Sequence, residues 1–339
     1  MTEASVGDRA VSESDIIDRY LKPLSAGFPG AFGLMDDCAA LAVPEGDELV
    51  MSMDAVAAGV HFFPDDDAAD IAWKALAVNV SDLAAKGAIP VAYLMSLAFP
   101  EAPRHSWLEG FARGLAEAQQ EFGIVLAGGD TDRRPGPISI TITAMGTTSA
   151  GRNLLRSEAH AGDVLFVSGT LGDSALGLRL RQDPQLAAAW GLSPERAAGL
   201  VTAYLRPQPR LGLGPALRRY AAASMDISDG LGKDLERLCR ASAVGTAIAI
   251  GDLPLSPAAA AAVRADPANW SIVIGGGDDY EVLTAVPSTL AADFRSSAAA
   301  GGIKVTEIGV LDDGEGVLFA AVDGTPLKIK AGGWDHFAS

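Results

Sequence analysis

The chain is expected to fold as α/β (α+β) in two domains, and three observations carry that expectation. Its 339 residues exceed what one core usually organises, since roughly 150 residues per domain is the ordinary scale. Segments with helical spacing alternate with short segments of strand character, the pattern of mixed architectures. A run of small and turn-forming residues, "TTSAGRN", follows a long strand near residue 150. The expected domains are therefore 1–150 and 151–339.

Residues 12–24 carry Ile16, Ile17, Tyr20, Leu21 and Leu24 at helical spacing and predict a short helix. The Gly-rich "SAGFPGAFG" leads to "LMDDCAAL", where Asp36 and Asp37 sit side by side in an apolar run that suggests partial burial. "ELVMSMD" (48–54) predicts a strand ending on Asp54. Residues 67–88 predict a helix with Ile71, Ala75, Val78, Asn79 and Asp82 near one face, stopped by Gly87. "VAYLMSLAFP" reads as a buried strand, and 105–122 as an amphipathic helix carrying Trp107, Phe111, Leu115 and Ala118. "IVLAGGD" predicts a strand running into a Gly-Gly-Asp turn, and "PISITITAMG" a strand in which Ile and Thr alternate. Past the boundary come the strand "VLFVSG", the helix "DSALGLRL" and the Pro-rich connector "LRPQPRLGLGP". "SMDISDGLGKDLERLCRA" reads as strand, turn and a helix packed by Leu231, Leu235 and Leu238. "GGGDDYEVLTAV", "KVTEIGVL" and "GGWDHF" complete the second domain.

Composition narrows the function. With 49% hydrophobic and 20% charged residues the chain has a globular profile, unlike that of a disordered one. A net charge of −17, from 43 acidic and 26 basic residues, argues against a nucleic-acid partner, which calls for a basic stripe. It leaves room for an anionic small ligand if metal ions screen the carboxylates. The acidic N-terminus has no secretory pattern, and no apolar run reaches the roughly 18–20 residues of a spanning helix. Cys38 and Cys239 make neither a disulfide framework nor a zinc site. The expected location is the cytoplasm, with no membrane partner.

Several acidic residues stand at expected strand ends or helix starts beside glycine and apolar neighbours: Asp36, Asp37, Asp54, Asp82, Asp130, Asp226, Asp229 and Asp278. Each has an ordinary explanation when taken alone. Asp229 suits a cap for the following helix, Asp130 a turn after Gly129, and Asp82 a solvated helix position. As a set, buried carboxylates without matching bases carry large desolvation and repulsion penalties. The motifs contribute few bases, chiefly Lys74, Arg133, Arg156 and Lys233. A divalent cation is the economical remedy, and Mg²⁺, with its preference for carboxylate, water and phosphate oxygens, fits best. The usual phosphate loops, G-x-x-x-x-G-K-[ST] and G-x-G-x-x-G between strand and helix, are absent from the sequence. Gly128-Gly129-Asp130 and Gly276-Gly277-Asp278 offer bare backbone instead, each a weak signal alone.

Taken in order, "DDCAAL", "SMDAVAAGVHF", "KALAVNVSDLAAKGAIP", "GGDTDR", "SGTLGDSALGL", "LRPQPR", "DISDGL", "GGGDDYE" and "WDHF" resemble the thiamine-monophosphate kinase family. Its superfamily also holds aminoimidazole-ribonucleotide synthetase and selenophosphate synthetase. The resemblance runs from about residue 13 to 337. It implies two α/β domains, N-terminal domains paired in a homodimer, and ATP with several Mg²⁺ across an interdomain cleft. Asp37, Ser52, Asp54, Asp82, Asp130, Asp226 and Asp229 match metal-binding positions, with Met53 beside Asp54 contributing at most its carbonyl. Arg156 and Ser228, with backbone around Gly129, match ATP contacts. His61, Asp278 and Trp334 match the thiamine-phosphate pocket. Asp54, Asp82, Asp130, Arg156 and Asp226 are thereby expected to serve catalysis.

Four departures stand out: Met35 before the Asp pair in place of Gly, Met53 in place of Thr, Asp132 in place of Thr, and Asp278 in place of Glu. None removes a central metal carboxylate. The implied reaction is ATP plus thiamine monophosphate to ADP plus thiamine diphosphate. Two readings compete with it, a sister ATP-dependent enzyme and a non-catalytic nucleotide-binding module. The first is disfavoured for selenophosphate synthetase because no Cys stands at the N-terminus, and the second because the central aspartates are all present.

Overall fold

A computed structural model describes residues 11–321 and 324–327. The chain divides into two compact units, one running to Leu83 and taking Pro90–Ser149, the other taking Ala84–Ile89 and the chain from Ala150 onward. The two-domain α/β class expected from the sequence holds.

In the first unit, β1 (Asp47–Ala57), β2 (Ile89–Phe99), β3 (Val125–Arg133) and β4 (Ser139–Ser149) form one sheet in the order β1-β4-β2-β3. β1 pairs antiparallel with β4, and β3 runs parallel to β2. The helix Ala68–Ala85 starts where the Asp67 carboxylate accepts the Ala69 N–H at 2.8 Å. It stops at Gly87, whose φ of 64° a side chain would oppose. The helix His105–Phe122 buries Leu108, Phe111, Leu115, Ala118 and Phe122 at the expected spacing. Trp107 stacks on Phe111 at 4.8 Å between centroids and meets the edge of Phe99 at 5.4 Å. Residues 13–25 are helical as expected, but as an α turn, a π segment and a 3-10 turn in succession.

Two expectations change here. β1 does not end on Asp54; it continues to Ala57, with Asp54 paired to Ile142. Gly128-Gly129-Asp130 is not a turn. It lies within β3, where Gly129 pairs with Met95 and Asp130 with Ser96. A Cβ on Gly129 would come within 1.8 Å of the Met95 carbonyl oxygen. The glycine is therefore demanded by strand approach, which no local turn signal encodes.

The second unit holds β5 (Asp163–Ser168), β6 (Ala223–Ile227), β7 (Gly245–Ala249), β8 (Glu281–Pro287), β9 (Val305–Asp312), β10 (Gly316–Ala320) and β11 (Pro326–Leu327). Their order is β11-β10-β7-β9-β5-β8-β6. β8 runs antiparallel to β5 and β6. Fully buried Leu165 and Val167 share a core with Leu231, Leu235 and Leu238 of the helix Leu231–Ser242. Phe166, next along β5, joins Leu217 and Phe294 in a separate core, as the alternation of a strand requires. None of the helices among the described residues is long and apolar enough to cross a membrane.

Candidate active site

A cavity of about 750 Å³ opens in the first unit, within the size range of small-molecule sites. It brings together Asp37, Met53, Gly129 and Asp130, all singled out from the sequence. Among the described residues its lining includes Glu13, Asp36, Asp37 and Asp130 and no Lys, Arg or His. Gly128 and Gly129 also line it, beside Leu94, Leu126 and Thr131.

Asp36 and Asp37 are not partly buried in the way their apolar flanks suggested. Both are exposed, and so is Met35, at 75%. Phe32, Gly33 and Leu34 take left-handed φ values of 49°, 66° and 55°, so the apolar flank does not pack as a regular segment. Asp36 accepts the N–H of Asp37 at 2.7 Å. Water tolerates the pair, and no cation is required to explain it. The same correction applies to Asp54 and Asp130, which are exposed too. Of the predicted ligands only Asp226 is buried, at 7% exposure.

Ser52, Asp54 and Asp82 form a second grouping in the first unit. Ser52 donates from its hydroxyl to Asp82, and the Asp54 N–H donates to the Asn79 side chain at 2.8 Å. Asn79, 1% exposed, is held in turn by donating to the Ala75 carbonyl at 3.0 Å. The shared helix face expected for Asn79 and Asp82 is thus the face that meets β1. Alternation along the strand turns Ser52 and Asp54 away from the side presented by Met53. The strand therefore contributes to two acidic groupings, not to one crevice. Among the described residues no three or more His, Cys, Asp or Glu side chains are arranged to hold a metal by themselves.

In the second unit Asp226 lies in β6 and Ser228 and Asp229 follow it. The Asp278 N–H donates to the Ser228 carbonyl at 2.9 Å, and the Tyr280 N–H to the Ile227 carbonyl at 2.8 Å. These bonds bring Asp226, Ser228, Asp229 and Asp278 onto two joined segments. Asp278 and Tyr280 have φ values of 71° and 50°, a conformation uncommon for residues with side chains. The Tyr280 hydroxyl donates to Asp278 at 3.2 Å.

The flanking residues, missed from the sequence, explain how that segment is held. Both Asp279 oxygens accept the Gly172 N–H, at 2.9 and 3.0 Å, where the helix Asp173–Gln182 begins. Burial pushes the Asp279 carboxyl well above its ordinary range. Burial also raises Asp173, whose carboxylate accepts from Thr170 at 2.7 Å and from Ser256 at 2.5 Å. Glu281, 3% exposed, accepts from Ser168 and from two nitrogens of Arg210. The motifs "SGTLGDS", "LRPQPR" and "GGGDDYE" are therefore one hydrogen-bonded assembly. The available signal was three carboxylates within four residues after a glycine run.

Asp229 is not the helix cap. The N-cap position is Gly230, with no side-chain cap, and Asp234 instead ties the preceding loop to the helix by accepting the N–H groups of Ser228 and Asp229 at 3.0 and 2.9 Å. Asp229 pairs with Lys233 at 3.2 Å and Arg237 at 2.6 Å. His61 is tied to the backbone, its Nδ1 accepting the Ala57 N–H at 3.1 Å. Arg156 is exposed, and its carbonyl accepts from Ser242 at 2.9 Å. Trp334 lies outside the described residues.

Residues 35–148 match the family described as AIR synthase related protein, N-terminal domain. A thiamine-monophosphate kinase of Caulobacter vibrioides is 40% identical over 330 residues, covering 96% of this chain and 91% of the relative. A crystal structure of thiamine-monophosphate kinase from Stenotrophomonas maltophilia K279a superposes with a TM-score of 0.78 at 38% identity, covering 87% of this chain and 91% of that one. A structure of AaThiL complexed with AMPPCP and TMP gives a TM-score of 0.76 at 32% identity, covering 91% and 97%.

Proposed function

The chain belongs to the thiamine-monophosphate kinase family, and from that premise we propose that it transfers the γ-phosphoryl group of ATP to thiamine monophosphate, releasing ADP and thiamine diphosphate. The observation that carries this reading is 40% identity across 96% of the chain, spanning both units. A solved relative at 32% identity holds AMPPCP and TMP together, which supports both an ATP-like and a phosphorylated ligand. The test is ADP release and product mass with thiamine monophosphate, thiamine or aminoimidazole precursors as acceptor. Diphosphate formed only from the monophosphate supports the reading; turnover confined to an aminoimidazole precursor overturns it.

The nucleophile is an ionised phosphate oxygen, so no strong general base is needed. The obstacle is repulsion: two unit charges about 4 Å apart cost roughly 4 kcal/mol at an effective dielectric of 20. Alignment and charge neutralisation therefore dominate phosphoryl transfer. Gly128 and Gly129, which line the cavity, are assigned in this proposal to backbone contact with phosphate. Arg156 supplies an exposed guanidinium with paired donors suited to phosphate oxygens, and Ser228 a second nucleotide contact. His61, whose Nδ1 accepts the Ala57 N–H, and Asp278, which accepts from the Tyr280 hydroxyl, are assigned in this proposal to thiamine monophosphate. Trp334 is assigned in the same proposal to stacking on a flat ring of that substrate.

The donor chemistry fits Mg²⁺. Carboxylates line the first unit's cavity without an accompanying base among the described residues, and Asp82 lies beside the Ser52 hydroxyl. Asp37, Asp130, Ser52, Asp54, Asp82, Asp226, Asp229 and the Met53 carbonyl hold the ions in this proposal. Sparse protein ligation suits a metal that completes its shell with water and substrate phosphate. Mg²⁺ bound there supplies neutralisation of the reacting phosphates.

The working protein is proposed to be a homodimer joined through its N-terminal domain, 1–150, with 151–339 completing the substrate sites. Met51, Met53 and Leu94 stand 62%, 64% and 40% exposed on the first sheet, and apolar exposure of that kind marks contact surfaces.

A further inference from the structure

The Gly-rich run before Asp36 has no part in the reading above, and its geometry is that of a loop with a closed neck. The Ala40 N–H donates to the Gly30 carbonyl at 2.8 Å. A Cβ on Gly30 would come within 1.9 Å of the Ala40 carbonyl oxygen, so the chain passes through a pinch that leaves no room for a side chain. Residues 31–39 lie between the two, in the form of a compact Ω-loop. Ala31 is buried, but Phe32 and Met35 stand 50% and 75% exposed. Among the described residues the side chains of 32–39 make few polar contacts. The Asp36 carboxylate accepts the Asp37 N–H at 2.7 Å, and the Met35 sulfur meets the Lys22 ammonium at 3.5 Å. Phe32 and Leu34 hold φ values of 49° and 55° on either side of Gly33 at 66°, a left-handed turn that side chains disfavour. Exposed apolar groups, few ties and a disfavoured backbone together mark low local stability. The same loop lines the first unit's cavity through Ala31, Leu34, Asp36, Asp37, Cys38 and Ala39, whereas Phe32, Gly33 and Met35 do not line it.

We propose that residues 31–39 are a lid on that cavity, with the Gly30–Ala40 pinch as its fixed base and the left-handed Phe32-Gly33-Leu34 turn as its hinge. Closure relaxes the turn to ordinary φ values and moves Phe32 and Met35 out of water toward the apolar lining of Ile17, Leu21 and Leu94. Relief of backbone strain and burial of apolar surface therefore favour the same movement. Against it stands the entropy of ordering the loop, which a ligand offsets by touching the lid. The length suffices: at about 3.4 Å per residue a nine-residue loop closed at its neck reaches roughly 15 Å, and a round cavity of about 750 Å³ is roughly 11 Å across. The lid needs no metal or substrate contact from its own residues, so it stands apart from the roles assigned to Asp37 and Asp130.

The experiment is amide hydrogen exchange over residues 26–45 of the full-length protein, with and without AMPPCP and Mg²⁺, for wild type, Phe32→Gly and Gly30→Ala. Phe32→Gly lets the turn stay left-handed without strain and removes the group that closure buries, yet changes no cavity-lining residue. In wild type the probe should slow exchange at Gly33 and Met35 about tenfold. In Phe32→Gly, with probe binding verified by calorimetry, the slowing should fall below about twofold. Gly30→Ala should speed exchange across 31–39 by about threefold or more without any probe, because the pinch must open. Cys38 gives a second readout, since it is exposed and Cys239 is buried. Iodoacetamide should alkylate Cys38 more slowly under the probe in wild type and not in Phe32→Gly. A ligand that merely shields its own contacts slows Cys38 alike in both proteins and leaves Gly33 and Met35 unchanged, which overturns the lid. Protection of Gly33 and Met35 that follows protein concentration instead of the probe also overturns it and assigns them to a contact between copies. A probe that fails to bind counts against the nucleotide reading; the lid is then judged by Gly30→Ala, and unchanged exchange there overturns it.

Discussion

Arg210→Met should unsettle the acceptor side of the site without touching a proposed substrate contact. Glu281 is 3% exposed and accepts from two Arg210 nitrogens, one at 2.7 Å, and from the Ser168 hydroxyl. Removing Arg210 leaves a carboxylate in the interior with a single hydroxyl donor. Breaking a buried pair in this way costs about 3–5 kcal/mol, more than the pair itself is worth. For a unit of some 150–250 residues each kcal/mol shifts the midpoint by about 2–4 °C, so the second unit should lose roughly 6–20 °C. Arg210→Met with Glu281→Gln removes the stranded charge while an amide can still bond Ser168, and should recover more than half of that loss. Glu281 lies three residues beyond Asp278, so the KM for thiamine monophosphate should rise while that for ATP holds. Differential scanning calorimetry of the wild type, both single variants and the double variant measures the stability terms, and steady-state kinetics the split in KM. A single variant melting within about 2 °C of wild type, or a double variant no better than the single, would refute the buried-pair account.

Asp54→Asn should lower kcat on the order of 100-fold with a melting point almost unchanged, because Asp54 is exposed; equal Mg²⁺ dependence and turnover would remove it from the ligand set. Gly129→Ala should destabilise the first unit by about 1–3 kcal/mol or more, since its Cβ meets the Met95 carbonyl oxygen at 1.8 Å; an unchanged urea midpoint would show that β2 and β3 can part freely. Burial raises Asp279, so its contribution to stability is complete below about pH 4 and is lost as pH rises through the raised value. Asp279→Asn keeps an acceptor for Gly172 and should be more stable than wild type at pH 7.5, with the advantage shrinking toward pH 4; chemical denaturation at the two pH values decides it. Trp334→Ala should raise the KM for thiamine monophosphate with little change for ATP, and the opposite pattern would move Trp334 to the nucleotide.

What the sequence made legible was the part governed by local periodicity. Helix 105–122 and the Leu231, Leu235, Leu238 stripe follow from a repeat visible in the residues themselves. The same holds for Asn79 and Asp82 on one face, now seen meeting β1. Gly-Gly-Asp failed because two glycines read locally as a turn, whereas here the close carbonyl of Met95 on a neighbouring strand demands the first unit's second glycine. Asp229 failed as a cap because its carboxylate pairs with Lys233 and Arg237 of the following helix and the N-cap position falls to Gly230.

The deeper difficulty is that a carboxylate's partner is invisible until the chain is folded. Arg210 and Glu281 are 71 residues apart, and Asp279 finds Gly172 across 107. Asp279 and Glu281 were not singled out from the sequence, because nothing local distinguishes them from other acidic residues. Folding sorts them. Asp173, Asp234, Asp279 and Glu281 are absorbed by hydroxyls, amides and guanidinium groups. Asp36, Asp37 and Asp130 remain exposed on a cavity that holds no base among the described residues. An excess of acid worth −17 charges overall says nothing about which carboxylates await an external cation. The fold separates carboxylates held by protein donors from those left to solvent, and in the proposed reading a metal is met among the latter, at the exposed Asp37 and Asp130.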